Sequence, residues 1–105
     1  DRGHFVWLQF DPQAGREQAG TRPALVLSPE SYNRRTRLCI VCPITNQSKG
    51  YAFEVLVPTG LPVSGVILVD HLRCVDYVER RIQHIGKAPD AVVADALAKL
   101  DTLLR

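Results

Sequence analysis

Apolar and polar residues change period several times along the chain, and each change marks an element. From Phe5 to Phe10, Val6, Leu8 and Phe10 alternate with Phe5, Trp7 and Gln9, a pattern that predicts a strand. A tryptophan in such a strand is expected in the core. Asp11-Pro12 ends the run, a polar loop follows, and Ala24 to Leu27 reads as a second strand. Ser28-Pro29-Glu30 has the form of an N-cap with proline at the first helical position, opening one or two turns through Tyr32 and Asn33. Leu38 to Pro43, Phe53 to Val57 and Gly65 to Val69 are three further strands, the last two joined by the turn-rich Pro58 to Gly65. Arg80 to Ile85 alternates charged and apolar residues and predicts a last, half-buried strand. From Pro89 to Leu104 the period becomes helical: Val92, Val93, Ala96, Leu97, Leu100, Leu103 and Leu104 share one face, with Asp90 in the first turn.

Several short strands and one closing helix predict a mainly β protein, a small and strongly bent antiparallel barrel with a C-terminal α-helix. At 105 residues and 46% hydrophobic content, residues 1–105 are expected to form a single domain with one modest core.

Charge alters this picture little, because thirteen Lys and Arg against eleven Asp and Glu leave only +2. Its placement says more: Arg16, Arg22, Arg34, Arg35, Arg37 and Lys49 all lie in the first half. No apolar run approaches the roughly twenty residues of a membrane span, and no secretory signal opens the chain, so a cytoplasmic location is expected. The first residue is Asp and not Met, which leaves room for a short leader. Three cysteines argue against a complete internal disulfide framework. Cys39 and Cys42 form a C-x-x-C, but in a strand residues three apart point to opposite faces, one to the core and the other away, a geometry for neither a zinc clip nor a redox pair. No metal and no cofactor are expected.

Two polar clusters carry the candidate chemistry. The first runs from Asp11-Pro12 through Gly15-Arg16-Glu17-Gln18-Ala19-Gly20 to Thr21-Arg22-Pro23-Ala24, placing a carboxylate and guanidinium groups in a loop between two strands. The second is Pro43-Ile44-Thr45-Asn46-Gln47-Ser48-Lys49-Gly50-Tyr51. With the Asn33 region, Gly65 to Asp70 and the closing helix, these blocks resemble the MazF/PemK family of toxin endoribonucleases. The resemblance sharpens the fold to an SH3-like barrel of PemK/CcdB-type topology. It implies a toxin of a toxin–antitoxin pair that cuts single-stranded RNA, mRNA included, at specific sequences and without a metal. A homodimer and a cognate acidic antitoxin are the implied partners.

Metal-free cleavage uses the RNA's own 2'-hydroxyl as nucleophile and leaves a 2',3'-cyclic phosphate and a 5'-hydroxyl, so the protein must supply a base, an acid and donors to the phosphorane oxygens. Arg22 suits the last task as a planar, permanently charged fork, and Thr45 adds a hydroxyl; the resemblance ties both to cleavage. Glu17 is the candidate proton acceptor, with Asp70 as a substrate-binding residue or alternative base. One branch of the family has a histidine directly before the Glu-Gln pair and an arginine near the fifth strand; here Arg16 and Leu68 stand at those places, so a histidine-dependent mechanism does not carry over. His71 reads better as a surface hydrogen-bonding group than as a base. Gln18, Asn46, Gln47 and Lys49 offer amide and ammonium groups for RNA, and Tyr51, with Trp7 as the alternative to its core reading, offers a stacking ring.

From a different class comes a non-enzymatic toxin that binds another protein, as gyrase poisons on a similar barrel do. Those rely on apolar and aromatic residues at the chain end, whereas Asp101-Thr102-Leu103-Leu104-Arg105 contains no tryptophan. A small-barrel interaction module without catalysis is the plainest alternative.

Overall fold

The computed structural model describes residues 1–10 and 20–105. Its elements are β1 (His4–Gln9), β2 (Thr21–Val26), α1 (Glu30–Thr36), β3 (Leu38–Thr45), β4 (Glu54–Leu56), β5 (Val66–Leu68), a 3-10 turn (Val69–His71), β6 (Arg73–Asp76), β7 (Gln83–Lys87) and α2 (Asp90–Leu104). The strands form an antiparallel array in the order β4-β5-β3-β2-β1-β7, with β6 paired to β3. This is the expected mainly β architecture with a C-terminal helix; the ladder bends as a barrel does without hydrogen bonding closed.

β3 organises the bend. Along one edge it holds β2, and along the other it holds first β6, through Leu38 to Val41, and then β5, through Ile44 and Thr45. The change of partner falls at Cys42 and Pro43, and a proline, having no N–H for a ladder, suits such a break.

Because β1, β2 and β3 are apolar on both faces, they serve two cores and not the single core expected. Phe5, Leu25, Cys42 and Ile44 face the first, which Val92 and Ala96 of α2 complete. Val6, Leu8, Phe10, Ala24, Val26, Cys39 and Val41 face the second, with Val75 of β6. Cys39 and Cys42 do point to opposite faces, as their spacing requires, yet both are buried, since both faces are covered. Burial pushes the Cys39 thiol up to about 11 and the Cys42 thiol up to about 12, so both stay protonated and inert at neutral pH.

Four further expectations are corrected. Trp7 is 44% exposed: it shares the Phe5 side of β1 but lies outside the first core cluster. Ser28 does not cap α1, where Pro29 stands at the N-cap with no side-chain bond. Its hydroxyl instead accepts the Ile40 N–H at 2.8 Å and donates to the Asn33 amide oxygen, tying the helix to β3. The last strand is Gln83–Lys87, displaced from Arg80 to Ile85 by a turn in which Asp76 accepts the N–H groups of Val78 and Glu79, both at 3.0 Å. Leu103 and Leu104 are exposed at the end of α2. β6 itself has only Val75 buried, too little apolar signal to mark a strand in the sequence.

Candidate functional site

The register of the central strands assembles the site. Ala24 pairs with Pro43, Leu25 with Cys42 and Val26 with Val41, while Arg22 pairs with Leu8 of β1 and Thr45 with Val66 of β5. Alternation puts both on the side of the second core, at its rim: Arg22 with Ala24 and Val26, Thr45 with Val41. Two residues 23 positions apart thus lie near the ends of adjacent strands, Arg22 at the start of β2 and Thr45 at the end of β3.

Thr45 opens into a cleft of about 540 Å³. Gln47, Lys49 and Tyr51 from the β3–β4 loop line one part, and Leu68, Asp70 and His71 from β5 and the 3-10 turn another, with Glu54 of β4 beside them. The Thr45 hydroxyl accepts the Gln47 N–H at 3.2 Å, which occupies an oxygen lone pair and leaves the hydroxyl proton for donation to a ligand. Asn46 is turned elsewhere: its carbonyl oxygen accepts the Ser64 hydroxyl at 3.2 Å, joining the Pro58 to Gly65 loop to the end of β3. That closeness depends on Gly65, whose φ is +115° and where a Cβ would overlap the Thr45 carbonyl.

Of the residues named from the sequence, the cleft gathers Thr45, Gln47, Lys49 and Asp70, and Tyr51 and His71 with them. Asn46 adjoins it. Arg22 is not among its lining residues and stands on the strand next to Thr45. Glu17 and Gln18 lie outside the described residues. The described residues on either side of them meet, the Phe10 N–H donating to the Gly20 carbonyl at 2.9 Å. Arg73 braces that point, donating to the Phe10 carbonyl at 2.8 Å with its guanidinium 5.7 Å from the ring centre.

Sequence reasoning passed over Glu54. Its carboxylate accepts the Ser48 hydroxyl at 2.8 Å, the Lys49 N–H at 3.0 Å and the Gly50 N–H at 3.2 Å. The Lys49 N–H first and then the Ser48 hydroxyl hold its carboxyl below the usual carboxylate range. The signal available in the sequence was an acidic residue at the start of an apolar strand, four residues after a glycine.

A second cavity, of about 420 Å³, lies beside His4 and His84, whose rings meet edge-on with centres 4.8 Å apart. Burial leads in lowering the His4 pKa, and Arg34 at the rim is already paired with Glu30. Among the described residues, no three His, Cys, Asp or Glu side chains gather as a metal-binding group.

A bent antiparallel sheet closed by a C-terminal helix, with a polar cleft of mixed charge at the end of β3, defines a class of small β-proteins. Residues 1–104 match the family described as PemK-like, MazF-like toxin of type II toxin–antitoxin system, and the chain belongs to that family. The endoribonuclease toxin MazF of Escherichia coli K12 is 40% identical over 104 residues, covering 99% of this chain and 93% of that protein. A crystal structure of MazF from Deinococcus radiodurans superposes with a TM-score of 0.96 at 54% identity, covering 99% of this chain and 94% of that one. A MazE–MazF structure from the same organism gives 0.89 at 54% identity, with the same coverage.

Proposed function

We propose that this chain is the toxin of a toxin–antitoxin pair, an endoribonuclease that cuts single-stranded RNA, mRNA included, at specific sequences and without a metal. The observation that supports the reading is the cleft that gathers Thr45, Gln47, Lys49 and Asp70, with Arg22 on β2, the strand paired to β3. In the reaction, the 2'-hydroxyl attacks the adjacent phosphorus, Arg22 grips the non-bridging oxygens in bidentate fashion and Thr45 donates its hydroxyl proton to the same oxygens. Glu17 takes the 2'-hydroxyl proton, with Asp70 as the alternative acceptor. The departing 5'-oxygen takes a proton from water, leaving a 2',3'-cyclic phosphate and a 5'-hydroxyl. Gln18, Asn46, Gln47, Lys49 and Asp70 bind the flanking RNA.

The protein acts as a homodimer in the cytoplasm, and its partner is a cognate acidic antitoxin. A MazE–MazF complex exists for the Deinococcus radiodurans relative, which supports that partnership. An acidic tail offers carboxylates to Arg22 and Lys49 in place of phosphate, so tail and RNA are expected to compete. Simultaneous, non-competitive binding in fluorescence anisotropy would refute a shared groove.

The main test is incubation with a long transcript in excess chelator. The expected products carry 5'-hydroxyl ends that a polynucleotide kinase labels directly; cleavage that requires added magnesium overturns the mechanism. Arg22→Ala and Thr45→Ala should each stay folded and lose about 10²–10³ in rate, the cost of removing one transition-state donor. Arg22→Lys restores only part, because an ammonium cannot make the bidentate grip. Near-normal cutting by Arg22→Ala would count decisively against the assignment.

A further inference from the structure

We infer that Glu54 is a positioning residue for RNA: its carboxylate folds the β3–β4 loop so that Gln47, Lys49 and Tyr51 line the cleft beside Thr45. The inference deepens the reading of the cleft as an RNA site and rests on it.

The geometry separates this role from two others. Oε1 accepts from the Ser48 hydroxyl and the Gly50 N–H, and Oε2 accepts from the Lys49 N–H. Three of roughly four acceptor positions on a carboxylate are therefore filled from within the loop, which leaves little for a base edge or a 2'-hydroxyl. A carboxylate so engaged also binds a proton weakly, which disqualifies it as the reaction's base. Its partners, by contrast, are consecutive residues of the segment that supplies the cleft's cation and aromatic ring. The Glu54 N–H donates to the Tyr51 carbonyl at 3.1 Å, so backbone and side chain of one residue close the same loop from both ends. Gly50, at φ +71°, permits the tight turn between them. The anchor itself is fixed by pairing with Leu68 of β5, which lines the same cleft.

Without the carboxylate the loop loses its centre, while Arg22, Thr45 and Asp70 keep their places on other elements. The effect belongs to RNA affinity and not to the chemical step. Protonation should act as the substitution does. Lys49, Asp70 and His71 also face the cleft, so the informative quantity is the difference between wild type and variant.

The experiment measures single-turnover cleavage of a long transcript against protein concentration for wild type, Glu54→Gln and Glu54→Ala, with backbone amide exchange on each. Glu54→Ala is expected to raise the half-saturating concentration about 10-fold, the scale of losing hydrogen bonds to a charged acceptor, with the saturated rate within about 2-fold. Glu54→Gln keeps one carbonyl oxygen and should fall between. Exchange should quicken at Lys49 and Gly50 while the strand amides stay protected. Acidification into the range where Glu54 protonates should raise half-saturation for wild type more than for Glu54→Gln. An unchanged half-saturating concentration in both variants overturns the proposal. So does a saturated rate that drops 10-fold or more at unchanged half-saturation, which would place Glu54 among the reacting groups. A wild-type protein that neither binds nor cuts the transcript refutes the RNA reading itself and takes the proposal with it, even where the exchange data show Glu54 holding the loop.

Discussion

Gly65 shows how closely one residue can bind fold to chemistry. Any side chain at that position meets the Thr45 carbonyl and must also adopt φ +115°. Gly65→Ala is expected to destabilise the protein by about 1–3 kcal/mol and to slow RNA cleavage, because relief of the overlap displaces Thr45. Gly60, at φ +88° with nothing within 4 Å, provides the comparison: Gly60→Ala should cost less in urea denaturation and leave the cleavage rate near wild type. Equal loss of activity in both variants would argue that Thr45 is not the element disturbed. The two candidate bases separate by a related logic. If Glu17 accepts the proton, Glu17→Gln removes the saturated rate and the acid limb of the profile, an unperturbed glutamate titrating near ~4.3. Asp70→Asn then mainly weakens binding. Retention of the acid limb in Glu17→Gln, with a dead Asp70→Asn, reverses the roles.

Among the elements, the turn after β6 shows what pattern reading catches and what it misses. Arg37, in the left-handed region at φ 62°, ends α1 and reaches Asp76 with two nitrogens, Nε at 3.0 Å and an Nη at 2.8 Å. Asp76 accepts N–H groups of the following turn with the same carboxylate. The Arg37 guanidinium leads in holding the Asp76 carboxyl below its ordinary value. The stabilisation is therefore complete above the ordinary carboxylate pKa and is lost as pH falls through the lowered one. A urea midpoint measured against pH should decline on acidification, and Asp76→Asn should remove part of that slope; Glu54, shifted in the same direction, accounts for another part. An unchanged slope in Asp76→Asn would show the pair to be idle.

Nothing in Arg73-Cys74-Val75-Asp76 announces a strand, because only Val75 is buried and the pairing with β3 is a tertiary matter. β1, β3 and α2 were legible because their apolar periods run long enough to exceed local noise. Ser28 misled because a hydroxyl before Pro-Glu fits a cap as well as it fits the buried bond to Asn33 that it makes. Of the site, Thr45, Gln47, Lys49 and Asp70 were legible through the motif blocks that hold them. Glu54 was not, since its role arises from bonds across a loop fold that no spacing rule encodes.

Taken as a molecule, the protein is held mostly by contacts between residues distant in sequence. β1 pairs with β7, the first core joins Phe5 to Val92 and Ala96, and Ala88 donates its N–H to the Gly3 carbonyl at 2.7 Å. Such topologies form late and all at once, because distant segments must meet before burial repays the ordering of the chain. This joining of the two ends has a consequence for the cell that makes the protein. While the chain is being synthesised, Arg22 and Thr45 emerge early, but the strand beside Arg22 lacks its outer neighbour and the first core lacks its lid until residues 83–104 have left the ribosome. A chain that lacks residues 83–104 is therefore expected to be inactive on RNA. Expression of a fragment ending at Pro89 should leave growth unaffected where the 105-residue chain arrests it; arrest by the fragment would show that the site assembles without its closing helix.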